Sequence, residues 1–266
     1  MKEHPIGIFD SGLGGLTVLK ALRKALPHEH FIYFGDSANV PYGAKSKQTV
    51  TKLSCAITTF LQEQGVKLIV VACNTASAQA LPTLQKQCRV PVLGVIEPGA
   101  QKAVAMTRNH KIALLGTEGT VRSRAYEKAI SRLSKKEKVF PQAAPLFVPL
   151  VEENFARQPA TRLIAQHYAA TLLRKQVDTV ILGCTHYPVL KPLLAEIFGP
   201  SVHLVDPSDT LAAQVKNYLS TIHQAQTSGK GNVCFYVSDD PARFKRLAQQ
   251  VLRAPVTRVH LKKLNV

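Results

Sequence analysis

Two short segments of this sequence carry a cysteine at the same address. Residues 68–75 read Leu-Ile-Val-Val-Ala-Cys-Asn-Thr, and residues 179–186 read Thr-Val-Ile-Leu-Gly-Cys-Thr-His. Each is an apolar run, then a small residue, a cysteine and a small polar group. A free thiol titrates at about 8.5, and nearby positive charge or a helix start lowers that value. Cys73 and Cys184 therefore describe a matched pair of acid/base groups facing one substrate from opposite sides, which suits inversion of a carbon centre. His186 follows Cys184 by two positions. It is placed to act as a base or orienting group for that thiol, or to bond backbone at a helix start. Asp10 ends an early apolar run in Ile8-Phe9-Asp10-Ser11-Gly12-Leu13-Gly14-Gly15, where a carboxylate sits in a site, caps a helix, or does both. Glu152, in the apolar stretch Pro149-Leu150-Val151-Glu152-Glu153, tunes a site proton or caps a helix.

These side chains need a scaffold that brings distant segments together. Apolar runs alternate with amphipathic stretches along the chain. Strands are predicted near 5–9, 30–34, 67–72, 92–95, 111–115, 146–148, 178–182, 202–205, 232–237 and 256–260. Helices are predicted near 14–26, 47–64, 76–87, 98–107, 120–135, 161–175, 188–197, 208–221 and 241–252. Such alternation predicts an α/β fold with mostly parallel sheets flanked by helices. The repeat reaches beyond the cysteines: Ile6-Gly-Ile-Phe-Asp-Ser-Gly resembles Ile112-Ala-Leu-Leu-Gly-Thr-Glu. Two pseudo-symmetric domains follow, with the site between them. Residues 1–97 plus 207–266 form the first and 98–206 the second. The tail after 207 is assigned to the first domain because a return there is the compact solution. Both cysteines then lie beyond the carboxyl ends of buried strands, where open α/β sheets build ligand sites. Asn74, Thr75 or Ser77 can cap the helix after Cys73, and Cys184 repeats the design with Thr185, His186 and Pro188 behind it.

The chain has 266 residues, enough for one or two α/β units with a real core. No apolar run approaches the length of about 20 residues that spans a bilayer, and the opening residues lack a leader's apolar region, so a cytoplasmic location is expected. Five cysteines at wide spacing, with no Cys-x-x-Cys pair, argue against a disulfide framework or a structural zinc. The net charge of +17 would gather anions and could give a weak anion or nucleic-acid contact, or is simply a solvated basic surface. The latter is favoured because no Trp is present and the basic residues are not interleaved with aromatics. The glycine turn after Asp10 fails the dinucleotide fingerprint, since Thr17 stands at its last glycine position. That turn offers N–H groups to a small anion. Tyr42 and Gly43, in Pro41-Tyr42-Gly43, either line the pocket through a hydroxyl and an N–H or form a plain turn.

Taken together, Asp10-Ser11-Gly12-Leu13-Gly14-Gly15, Pro41-Tyr42-Gly43, Ala72-Cys73-Asn74-Thr75-Ala76-Ser77 and Gly183-Cys184-Thr185-His186-Tyr187-Pro188 resemble the glutamate racemases, within the cofactor-independent aspartate/glutamate racemase family. The match runs in order over nearly the whole chain. The resemblance implies two α/β domains with glutamate between them, interconversion of its L and D forms, and supply of D-glutamate to peptidoglycan. It implies that Cys73 and Cys184 are the proton donor/acceptors, that Asp10 and His186 assist Cys73 and Cys184 respectively, and that Glu152 is a third assisting group. It places Asp10, Ser11, Tyr42, Gly43, Asn74, Thr75, Thr185 and His186 on the substrate. It implies no pyridoxal phosphate, no other cofactor and no metal. Some relatives carry an N-terminal extension linked to activation by a cell-wall precursor. Here the first motif begins at Ile6, so that activation is not expected. A homodimer stays open. The rival readings are an aspartate-specific racemase, a basic nucleic-acid-binding protein, and a thiol–disulfide redox enzyme.

Overall fold

The computed structural model describes residues 4–264, so Met1–Glu3 of the stretch read above as lacking a leader lie outside it. Two parallel sheets carry the fold. In chain order the first elements are β1 (Ile6–Asp10), α1 (Leu16–Ala25), β2 (Phe31–Gly35), α2 (Lys47–Glu63), β3 (Leu68–Val71), α3 (Asn74–Gln79), α4 (Leu81–Gln87), β4 (Val92–Gly94) and α5 (Ile96–Met106). They continue with β5 (Lys111–Gly116), α6 (Glu118–Ser123), α7 (Ala125–Leu133), β6 (Lys138–Ala143), α8 (Phe147–Glu152), α9 (Pro159–Arg174), β7 (Thr179–Gly183), α10 (Lys191–Phe198) and β8 (His203–Val205). Last come α11 (Ser208–Thr221), β9 (Val233–Val237), α12 (Pro241–Leu252) and β10 (Val259–Leu261).

The first sheet runs β10-β9-β2-β1-β3-β4 and the second β6-β5-β7-β8. Four adjacent strands of the first sheet, β2-β1-β3-β4, have the same order as the whole of the second. The duplication read from the sequence is therefore topological: β3 and β7, the strands that end at the cysteines, are equivalent. Both are buried at every position, which the runs Leu-Ile-Val-Val and Thr-Val-Ile-Leu-Gly demand. Strand β9 pairs with β2 in parallel, Gly35 opposite Val237, so the chain after α11 adds to the first sheet. Helix α1 buries Leu16, Val18, Leu19 and Leu22 in one cluster with Leu211, Ala212, Val215 and Leu219 of α11. Each such side chain contributes about 1.5–3 kcal/mol on leaving water.

Three local expectations are corrected. The strand predicted near 146–148 is helix α8, and the second sheet's edge strand is β6 at residues 138–143. Strand β6 carries Lys138, Pro141 and Gln142 and is half-exposed. An edge strand needs no apolar face on its outer side and tolerates proline there. The helix predicted over 76–87 begins at Asn74 and breaks at Ala80, before Pro82 in the first turn of α4. The helix predicted over 120–135 breaks at Arg124, whose φ of +55° is left-handed. No helix among the described residues is long and apolar enough to cross a membrane.

Candidate active site

The carboxyl ends of β1, β3, β5 and β7 meet at one cleft. It is narrow, with about 10 Å³ of free space, and is lined by Ser11, Pro41, Tyr42, Gly43, Cys73, Asn74, Thr75, Thr117, Val148, Cys184, Thr185 and His186. Both thiols face this one space and both are nearly buried, Cys73 at 5% and Cys184 at 6% exposure. The duplicated strands thus deliver their cysteines to a shared cavity.

Each half reaches across to the other in the same way. The loop after β7 sends the Thr185 hydroxyl to Asp10 Oδ1 at the end of β1, 3.1 Å away. The first turn of α3, just after β3, sets Thr75 Oγ1 2.9 Å from Thr117 Oγ1 at the end of β5. The Tyr126 hydroxyl of α7 donates to Asn74 Oδ1 at 2.7 Å, fixing the residue beside Cys73 from the opposite half. Gly14 makes the first crossing feasible. A Cβ there would collide with Thr185 Oγ1 and sit 2.7 Å from His186 Nδ1.

The thiols have different partners. Cys73 itself is the N-cap of α3: the Ala76 N–H donates to its Sγ at 3.5 Å. The expected caps Asn74, Thr75 and Ser77 instead lie inside that helix. The Cys73 thiol donates to Ser11 Oγ at 3.8 Å. Burial and the neighbouring Asp10 carboxylate push it up to about 12, with the Ala76 N–H and the Ser11 hydroxyl opposing. Cys184 does not repeat the helix start. Residues 187–190 form a short 3-10 turn ahead of α10, and Cys184 Sγ instead lies 3.8 Å from His186 Nδ1. His186 Nε2 lies 3.1 Å from Glu152 Oε1. Burial pushes the imidazole down, but its bonds to Cys184 and Glu152, with the charges of Cys184 and Asp10, outweigh that and raise it to about 10. It is therefore an imidazolium at neutral pH, donating from both nitrogens. Among the described lining residues it is the one side chain that can carry positive charge.

Asp10 lies behind the cleft wall rather than on it. It is fully buried, with the Gly12 N–H on Oδ2 at 2.9 Å and Thr185 on Oδ1. One N–H of the glycine turn is thus satisfied internally instead of facing an anion. Burial holds the Asp10 carboxyl above the usual carboxylate range, against the pull of His186 and of the Gly12, Gly15 and Thr185 donors. Glu152 likewise reaches the cleft only through His186. Tyr42 and Gly43 line it, but of the two readings offered for this segment the Tyr42 hydroxyl does not follow the one that opens it to the pocket: it donates to Asp36 Oδ2 at 2.6 Å. Thr117, Tyr126 and Val148 were not singled out in the sequence. The internal repeat carried the signal for Thr117, which falls opposite Ser11 when Ile6–Gly12 is laid over Ile112–Glu118. Tyr126 and Val148 left no local signature.

Comparison with known proteins agrees with this geometry. The Asp/Glu/Hydantoin racemase family profile matches residues 11–215. The glutamate racemase of Geobacter metallireducens is 51% identical over 253 residues, 95% of this chain and 94% of that protein. The Francisella tularensis glutamate racemase, solved in complex with D-glutamate, superposes with a TM-score of 0.92 at 34% identity, over 99% of this chain and 98% of that one. A Bacillus anthracis glutamate racemase superposes at 0.95 with 32% identity, over 99% and 98%. An aspartate racemase from Picrophilus torridus shares the fold alone, at 17% identity and a TM-score of 0.57. This chain is an isomerase that belongs to the Asp/Glu/hydantoin racemase family, among its glutamate racemases.

Proposed function

We propose that this chain interconverts L- and D-glutamate by a two-thiol 1,1-proton transfer, and that its D-glutamate supplies peptidoglycan. The observation that carries the reading is the pair of sulfurs, from equivalent strands, on one cleft. One thiolate takes the α-proton and becomes a thiol. The opposite thiol gives its proton to the other face and becomes a thiolate. The number of protons in the site is unchanged, and the roles exchange for the other enantiomer.

An α-proton is far less acidic than a thiol, so the site must stabilise charge that develops on the α-carboxylate. Donors held in place before the reaction do this with little reorganisation. Candidates here are the Ser11, Thr75 and Thr117 hydroxyls, with the His186 imidazolium, whose two N–H groups are taken by Cys184 and Glu152, adding positive charge beside them. Burial, with Asp10 beside it, keeps the Cys73 proton in place, and the bonds to Cys184 and Glu152 together keep His186 charged. Exclusion of water from so small a space strengthens each of these contacts. Recognition of glutamate is supported by the Francisella tularensis complex with D-glutamate and by the Escherichia coli complex with L-glutamate and UDP-MurNAc-ala.

Circular dichroism of purified protein with each enantiomer, nothing else added, tests the activity. Turnover of aspartate and not glutamate would overturn the substrate. Cys73→Ser and Cys184→Ser should each abolish racemisation, and an active single variant would defeat the two-thiol mechanism. In heavy water, deuterium should enter mainly the enantiomer being formed.

A further inference from the structure

Asp36 follows β2 and is 1% exposed, yet it neither lines the cleft nor faces a thiol. Its carboxyl is a node joining three segments. Oδ2 accepts the Tyr42 hydroxyl at 2.6 Å. Oδ1 accepts the Ser238 hydroxyl at 2.6 Å and Asn39 Nδ2 at 3.0 Å. Its own N–H donates to the Asp10 carbonyl at 3.0 Å, locking it to the strand end beneath the site. Ser238 and Asp239 follow β9, far along the chain. There the Ser238 hydroxyl also accepts the Ala38 N–H at 2.9 Å, the Ser37 hydroxyl donates to the Asp239 carbonyl at 2.5 Å, and the Asp239 N–H donates to Ser37 Oγ at 3.0 Å. Four bonds therefore bolt the loop of residues 36–39 to the start of the α12 unit. The same loop continues into Pro41, Tyr42 and Gly43, which form one wall of the cleft.

We propose that Asp36 is the positioning residue for the Pro41–Gly43 wall, and that through it Ser238 of the C-terminal segment sets how tightly the cleft holds its amino-acid substrate. Tyr42 is a permanent donor in this arrangement, since burial and then Asp36 raise its phenol well above the ordinary tyrosine range. Removing the carboxyl's bond frees the tyrosine ring, and the wall loses its fixed distance from the thiols. The thiols themselves keep their partners Ser11 and His186, which do not touch Asp36. The effect therefore falls on substrate binding more than on proton transfer.

The inference rests on glutamate turnover at this cleft, so wild-type activity is checked first, and a substrate-free measurement runs beside the kinetics. In Ser238→Ala, which removes two hydrogen bonds, and in Asp36→Asn, KM for both enantiomers should rise by at least about threefold to tenfold, the scale set by loss of one good hydrogen bond, while kcat falls by less. Tyr42→Phe combined with Asp36→Asn should be no worse than the more damaging single change, because both break one contact. Without substrate, amide hydrogen exchange of residues 42–45 should quicken in all three variants. Unchanged exchange in Ser238→Ala and Tyr42→Phe would overturn the proposal whether or not the wild type turns over glutamate. So would a kcat loss at constant KM, or effects that multiply in the double variant. Should Asp36→Asn fail to fold, Ser238→Ala and Tyr42→Phe decide the matter.

Discussion

Glu152→Gln removes one of the two hydrogen-bond partners that keep His186 charged, Cys184 being the other. Glu152 sits 3.1 Å from His186 Nε2, with its side chain 18% exposed against 3% for the histidine. A hydrogen bond to a charged group is worth about 1.5–3 kcal/mol. Partial exposure of the carboxylate favours the lower end, and about 1.4 kcal/mol corresponds to one pKa unit. The variant should therefore lower His186 from about 10 to about 9. The sign is fixed: a base raised by its partner loses its proton earlier when the partner is neutral. If the imidazolium stabilises charge during transfer, kcat/KM falls as His186 deprotonates. Glutamate's own amine also titrates at alkaline pH, so the informative quantity is the ratio of variant to wild-type kcat/KM, in which the substrate's titration cancels. From pH 7 upward that ratio should be flat, fall about tenfold between roughly pH 9 and 10, then flatten again. Glu153→Gln is the control. It breaks only the pair with Arg243 at 3.0 Å, exposed on both sides, which is worth about 0–1 kcal/mol. A constant ratio across the whole range for Glu152→Gln would refute the assignment of Glu152 as a group holding the His186 proton.

Asp10→Asn should melt at a higher temperature at pH 8 while losing activity, because burial makes the ionised Asp10 unfavourable. The gain should shrink as pH falls and the native carboxyl takes its proton; a lower melting temperature at pH 8 would be the contrary result. Lys67→Met should cost about 3–5 kcal/mol in denaturant unfolding, because it strands the buried carboxylate of Glu29, whose side chain is 0% exposed and whose Oε2 lies 2.7 Å from Lys67 Nζ. A loss under about 1 kcal/mol would mean that water reaches Glu29. Gly14→Ala should leave the secondary structure intact by far-ultraviolet circular dichroism and strongly reduce racemisation, since the methyl must displace Thr185 and His186. Wild-type activity in that variant would show that the crossing from β7 to β1 tolerates movement.

The parts of the site that sit on buried strand ends were legible in the sequence because burial on both faces leaves a continuous apolar run, as in Leu68–Val71 and Thr179–Gly183. Cys73 and Cys184 follow such runs, and so does Asp10. What the sequence hid depends on partners remote in the chain. The Tyr42 hydroxyl is held by Asp36, a carboxylate that is itself fixed by Ser238, 202 residues further on. Tyr126 reads as a core aromatic on α7, and its bond to Asn74 exists only because the two halves close on each other. Strand β6 was missed for the converse reason: an edge strand with Lys138 and Pro141 carries no run to detect. Leu146, Phe147 and Val148 drew the strand assignment because three adjacent apolar residues before a proline do not distinguish a sheet from one helical turn.

Duplication gives the cleft two faces, but it does not give two equal thiols. Cys73 stands beside a buried carboxylate and is pushed up to about 12, while Cys184 stands beside an imidazolium raised to about 10. The resting site thus holds a protonated Cys73 on one face and the His186 positive charge next to Cys184 on the other. The two enantiomers have equal free energy in water, so kcat/KM must be the same in both directions for the native protein and for every variant. Unequal thiols cannot favour one enantiomer; they can only divide the same total barrier differently between binding and turnover. Each direction should then show its own KM and kcat with a common ratio. Asp10→Asn removes a charge that acts on Cys73, and it should change the two KM values by different factors. Equal factors for both enantiomers would mean that Asp10 supports the wall of the cleft and not the proton on one side of it.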